Sequence, residues 1–161
     1  MRSSRLGISA ALAAGGLAMA GLALAPAASA TTPTDATAVY DCGAFGGGEA
    51  SLHADQSGGN VTLTLTTAIT SPLAIGAGQV SSSLTMSLNS SGTAVFTGSS
   101  NPAIPAGGAF NSGPLTGPTA FTAGDSLDSY LGGTAFTMVV FGTTVSCDAT
   151  SAQVPGAFVV D

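Results

Sequence analysis

Apolar and polar residues alternate with a period of two along several stretches of this chain. Ala50, Leu52 and Ala54 fall on one face of residues 48–55, and Glu49, Ser51, His53 and Asp55 fall on the other. Val61, Leu63, Leu65 and Ile69 alternate in the same way with Thr62, Thr64 and Thr66. Successive strand side chains point to opposite faces, so both runs predict half-buried β-strands. The short link from Gln56 to Asn60, with Gly58-Gly59 at its centre, makes the two runs a hairpin. A second pair follows. Val80, Leu84, Met86 and Leu88 alternate with Ser and Thr, Asn89-Ser90-Ser91-Gly92 is a turn, and residues 93–97 lead away from it. Ala36, Ala38, Tyr40 and Cys42 share a face near the start. Near the end Phe136, Met138 and Val140 share one face while Val139 and Phe141 fill the other, which predicts a strand covered on both sides. Val145 and Cys147 continue after a bend at Gly142.

No stretch after residue 30 carries a helical period. Ser and Thr supply 36 of the 131 residues from 31 to 161, and Gly and Pro punctuate the runs. Thr favours strands and Ser with Gly favours turns. Together these features predict an all-β fold: an antiparallel β-sandwich, immunoglobulin-like in the broad sense, with a small β-barrel as the alternative. The chain has no Trp to pack against a disulfide as in a true immunoglobulin domain. Residues 98–118 carry Pro102, Pro105 and Pro114 and read as either a long loop or edge structure, with Ile104, Phe110 and Leu115 plugging the core.

The start has a different character. Arg2 and Arg5 precede an uncharged Ala/Leu-rich run over residues 6–25, and Ala28-Ser29-Ala30 has the small-x-small form of a cleavage site. This predicts a helical signal peptide over residues 1–30 and a single secreted domain over 31–161. The competing reading is a retained anchor, since twenty apolar residues are long enough to span a bilayer.

Charge then narrows the function. Removing Arg2 and Arg5 takes the formal net charge from −6 to −8, because all eight acids lie beyond residue 30 and no Lys occurs anywhere. Binding to nucleic-acid phosphates and docking on anionic membranes both depend on Lys and Arg, so both are excluded as partners. Trypsin-type proteases likewise have no site beyond Arg5, even in the unfolded chain. Neutral, hydroxyl-bearing partners such as glycans or envelope polymers, or a small apolar ligand, fit this composition.

Cys42 and Cys147 are the only cysteines. An even count in an exported chain predicts a disulfide, and a loop of about 100 residues is worth ~4.7 kcal/mol in the chain-entropy model. No metal or redox motif surrounds either cysteine, and no cofactor is implied. Gly124-Asp125-Ser126-Leu127 spells the tag of a serine-esterase family, but no His follows it, and a surface turn accounts for Ser126. His53 is the sole histidine, so a hydrolase would have to use it as base, with Ser51 and Asp55 on the same strand face. An exposed strand offers neither oxyanion donors nor an enclosed pocket. Asp125 and Asp128 are weak candidates for a calcium site, which Asp148 joins only if the fold brings it there. Tyr40, Tyr130 and the seven phenylalanines read mainly as core.

Two resemblances complete the picture. The Tyr40-Asp41-Cys42 opening, the Thr143-Thr144-Val145-Ser146-Cys147 closing segment and the Pro155 after it resemble secreted actinobacterial β-sandwich domains of unassigned activity with one long-range disulfide. The acidic, Ser/Thr/Gly/Ala-rich composition is similar to the neocarzinostatin-type apoproteins, which carry a chromophore but use two short-range disulfides. The expected function is a secreted, non-enzymatic cell-envelope or extracellular binding module. A carrier of a small apolar molecule, held in an inter-sheet cleft or under residues 98–118, is the alternative, and a His53-dependent hydrolase the third reading.

Overall fold

The computed structural model describes residues 30–118 and 120–161, so the expected signal peptide lies outside the described residues except for Ala30. Ten strands follow in order: β1 (Asp35–Asp41), β2 (Gly47–Ser57), β3 (Asn60–Thr70), β4 (Ser81–Leu88), β5 (Gly92–Gly98), β6 (Ala109–Thr116), β7 (Ser126–Ser129), β8 (Thr134–Val140), β9 (Thr143–Ala149) and β10 (Phe158–Val159). One 3₁₀ turn, Gly43–Phe45, separates β1 from β2. The alternating runs become β1 to β5, β8 and β9. In β3, Val61, Leu63 and Leu65 are buried and the threonines between them are half-buried, as a period of two requires.

All pairings between strands are antiparallel, and β4-β5-β6-β3-β2-β1-β9-β8 closes on itself through the β4–β8 pairing. This eight-strand circuit is a closed barrel and fits the small-barrel alternative. The two-sheet, immunoglobulin-like arrangement is not what the hydrogen bonding shows. Closure rests on two thin seams. β5 meets β6 only at Thr97↔Thr116, and β1 meets β9 only at Tyr40↔Ala149 and Asp41↔Asp148. The Cys42–Cys147 disulfide lies beside the second seam, so a covalent link reinforces the wall at one of its two short ladders. β7 and β10 extend the sheet outside the circuit. β7 pairs the last residues of β4, Met86 to Leu88, where β8 has left it.

Residues 98–118 are resolved into a link and a barrel strand. Ile104, Phe110 and Leu115 are buried as expected. Eight of its residues, Ala109–Thr116, form β6, set between β5 and β3. Gly113 lets β6 bend: its φ is 64°, and a Cβ there would strike the Ser100 carbonyl oxygen. The bend shifts the β3–β6 register between Thr64 and Thr66. The buried Ser112 hydroxyl takes the place of the missing rung, accepting the Leu65 N–H at 3.0 Å and donating to the Gly113 carbonyl at 2.7 Å.

The expectation that β8 is covered on both sides is corrected. Phe136 and Met138 are buried, but Val139 and Phe141 are exposed. The barrel wall is one layer thick, so only the inward face of a strand has a core to enter. That core is continuous, with Leu52, Leu63, Leu65, Leu84, Met86, Phe96, Leu115 and Phe136 fully buried.

Candidate functional site

The antiparallel register fixes which loops share an end of the barrel. The 3₁₀ turn, the β3–β4 link (71–80), the β5–β6 link (99–108) and the β8–β9 turn (141–142) lie at one end, here called the mouth. The two links fasten to each other. Ile75 and Ile104 exchange backbone hydrogen bonds at 2.9 Å each. The buried Asn101 accepts the Val80 N–H at 2.9 Å and donates to the Gly76 and Pro102 carbonyls. This closes one half of the mouth.

The other half opens into a pocket of about 210 Å³. Phe110, Met138, Val140 and Val145 come from the barrel strands, and Ile69, Leu73 and Ile75 from the end of β3 and its link. Phe45 and Phe141 complete the apolar lining. The hydroxyl-bearing residues of the lining are Thr70, Ser71 and Thr143, and no lining side chain is charged. An engineered apolar cavity of about 150 Å³ already holds benzene, whereas drug-sized sites run from about 300 Å³ upward. The pocket therefore matches a single ring or a short alkyl chain.

Three aromatic or aliphatic side chains stand around it on three separate turns. Phe45, Leu73 and Phe141 are 50%, 62% and 64% exposed. Phe45 sits on the 3₁₀ turn, whose first residue follows the disulfide-anchored Cys42, and the Asp41 carboxylate fixes that turn by accepting the Gly43 N–H at 2.9 Å. Leu73 follows Pro72 on a local turn in which the Ser71 hydroxyl donates to the Leu73 carbonyl at 2.6 Å. Phe141 occupies the first position of a two-residue hairpin turn, with Phe141 at φ 52° and Gly142 at 76°. Both central residues of such a turn need positive φ, which Asn, Asp and Gly supply at little cost. A phenylalanine there costs about 1–2 kcal/mol, and its ring is left half in water. Strained, exposed apolar residues concentrate where a protein meets a ligand.

The residues singled out by the sequence lie elsewhere. Cys42 and Cys147 are joined and buried. His53 is on the outer wall, with Nδ1 2.7 Å from an Asp35 oxygen and Nε2 3.5 Å from an Asp55 oxygen. The Asp35 hydrogen bond chiefly raises the His53 pKa, partial burial pulls the other way, and Asp55 adds to the rise. Asp35 is held below its ordinary value by the same bond and by the Thr34 hydroxyl. Both ring nitrogens thus face carboxylates, whereas a Ser-His pair needs one of them on the hydroxyl.

Asp125 is a turn fastener. Its carboxylate accepts from Asn89 Nδ2 at 2.8 Å and from the Thr122 N–H and hydroxyl at 2.8 and 3.0 Å, which hold its pKa below the usual carboxylate value. Asp128 accepts the backbone N–H groups of Ser129 and Gln153. No group of three or more His, Cys, Asp or Glu residues suited to a metal occurs among the described residues, so Asp148 is not brought to the pair. Ser126, in the esterase-like tag, opens β7 and donates its N–H to Asn89. Tyr40 is core as expected, and burial, with Asp128 adding and the Ser129 hydroxyl opposing, pushes its phenol up to about 12.

The phenylalanine expectation holds for Phe96, Phe110, Phe121, Phe136 and Phe158, which are buried. It fails for Phe45 and Phe141, the two at the pocket. The sequence does hold a signal for them: both are aromatic residues inside glycine-rich turns, Gly43-Ala44-Phe45-Gly46 and Phe141-Gly142, where alternation has stopped. No protein-family model matches this chain, and neither a curated protein nor a solved structure matches it.

Proposed function

We propose that this chain is a secreted, non-enzymatic binding module that holds a small apolar molecule, or the apolar end of a larger one, in the barrel mouth. The observation that carries the reading is the 210 Å³ pocket with an uncharged, largely apolar lining, ringed by Phe45, Leu73 and Phe141. An eight-stranded barrel encloses just enough room for one small ligand. The pocket lies under the β3–β4 link and against the β8–β9 hairpin, with only Phe110 contributed by residues 98–118. The buried disulfide is consistent with an extracellular setting, and among the described residues no helix is long and apolar enough to cross a membrane.

Filling the pocket with about eight carbons, scaled from benzene in about 150 Å³, buries apolar surface worth about 6 kcal/mol at ~0.8 kcal/mol per carbon. Lost ligand freedom offsets part of this, so Kd is no tighter than about 10⁻⁴ M. Titration of the oxidised protein with toluene, followed by amide chemical shifts, tests the proposal. Saturable shifts confined to the lining, at the rim residues Phe45, Leu73, Phe141 and Thr143 and the floor residues Phe110, Met138 and Val145, are expected. An unperturbed spectrum at toluene saturation would overturn it.

A second reading has its own support. Ser81, Ser83, Thr97, Ser99 and Thr137, together with the exposed Val139, line a shallow hollow of about 450 Å³ on the outer wall, where Ser83 pairs with Thr97 on one side and Thr137 on the other. A flat, uncharged array of hydroxyls suits a neutral glycan or envelope polymer.

A further inference from the structure

The polar residues at the rim extend the apolar-mouth reading, on which this inference rests, to the ligand's head group. Three hydroxyl-bearing residues, Thr70, Ser71 and Thr143, are among those that line the pocket. The Ser71 hydroxyl is engaged by the Leu73 backbone, donating to its carbonyl and accepting its N–H. Thr70 closes β3 and Thr143 opens β9, both are exposed, and neither hydroxyl takes part in a hydrogen bond among the described residues. They are left to meet the part of a ligand that emerges from the apolar floor. No cation is available to that part. The lining holds no charged side chain, and residues 31–161 carry eight acids and neither Lys nor Arg. A carboxylate or phosphate head at this rim is partly desolvated without a partner and is repelled by the net charge. A hydroxyl, ester or amide head gives up little hydration and finds donors and acceptors in Thr70 and Thr143.

We infer that the ligand is an uncharged amphiphile: a ring or chain of about eight carbons in the pocket, carrying one neutral hydrogen-bonding head at the Thr70–Thr143 rim. The site discriminates against the matching carboxylate. The chain length follows from the 210 Å³ volume, and the head from the pairing of free hydroxyls with absent cations.

The test compares 1-octanol, octanoate and toluene on the oxidised full chain at pH 7. Octanol is expected to bind at least tenfold more tightly than octanoate. The double variant Thr70→Val, Thr143→Val is expected to weaken octanol several-fold and leave toluene unchanged. Circular dichroism confirms that the variant keeps its strands, and toluene binding confirms that its pocket is intact. Octanoate binding as tightly as octanol would overturn the inference, as would a double variant that binds octanol like the parent. Either result leaves the apolar-mouth reading standing if toluene still binds. Failure of toluene and octanol alike would remove the reading itself.

Discussion

Hairpin turns at both ends of the barrel contain residues at positive φ, but their side chains are of opposite kinds. At the end away from the mouth, the three-residue β4–β5 turn places Asn89 at φ 52° and Ser90 at 60°, and Asn takes this conformation readily. Asn89 is then tied to the segment before β7, donating to Asp125 and accepting from Ser126. Gln56 ties the β2–β3 turn to the C-terminus by donating to the Asp161 carbonyl at 2.8 Å. Beneath these clasps Phe121 stacks on Phe96 with centroids 5.9 Å apart and plugs the barrel. At the mouth, the two-residue β8–β9 turn carries Phe141, the ring is largely exposed, and Phe110 lies at the pocket instead of under a plug. One end is built for closure, and the other gives up some stability to keep an apolar opening. That asymmetry supports the proposed ligand site at the mouth.

The largest expected effect comes from removing the staple at the mouth. Cys42→Ala with Cys147→Ala is predicted to cost about 3–5 kcal/mol and lower Tm on the order of 15 °C. Hydrogen exchange is expected to rise first in residues 42–47 and 143–147, while the 89–91 turn keeps its protection until global unfolding. Uniform loss of protection would erase the distinction between the ends. Next, Asn89→Ala is predicted to cost about 1–2 kcal/mol in urea unfolding, from two lost hydrogen bonds and a less permissive residue at positive φ. Toluene affinity is expected to stay unchanged. Phe141→Asn is predicted to act in the opposite sense, raising stability by about 1 kcal/mol while weakening toluene binding several-fold. A variant that lost stability, or bound toluene as before, would separate Phe141 from the pocket.

The smallest effect lies on the outer wall. The His53 pKa is raised, so its pairing contributes fully below 6.5, its unfolded value, and fades as pH rises through the folded one. The Asp35 pKa is lowered, so its share is present above 3.8 and fades as pH falls through the folded value. The pair therefore contributes most between those pH limits. Asp35→Asn is expected to return the His53 NMR titration toward 6.5 without affecting toluene binding.

Much of this architecture could be read from alternation, because each barrel strand has one wet and one buried face. The strands β1 to β5, β8 and β9, and the bend at Gly142, follow directly from the residues. Closure could not be read, because it depends on one register pair between β5 and β6 and two between β1 and β9. β6 was hidden by Gly113 and Pro114, which interrupt its period at the bulge. β7 and β10 are four and two residues long, too short to show any period. At the site, titratable residues drew attention first, yet His53, Asp125 and Asp128 fasten strands and turns. The pocket residues carry no chemical signature. Phe45 and Phe141 are marked in the sequence only by their glycine-rich turns and Leu73 by nothing, and the fold shows that all three side chains fail to reach the core.

Diffraction from crystals under xenon pressure compares the two ends most directly. Xenon enters dry apolar cavities of this size without needing a specific contact. One site is predicted in the mouth, between Phe110, Met138 and Val145, and none beside the stacked Phe96 and Phe121. Xenon beside Phe96, or a mouth that takes up none because Phe141 and Leu73 have folded into it, would contradict the assignment of an open, ligand-ready end.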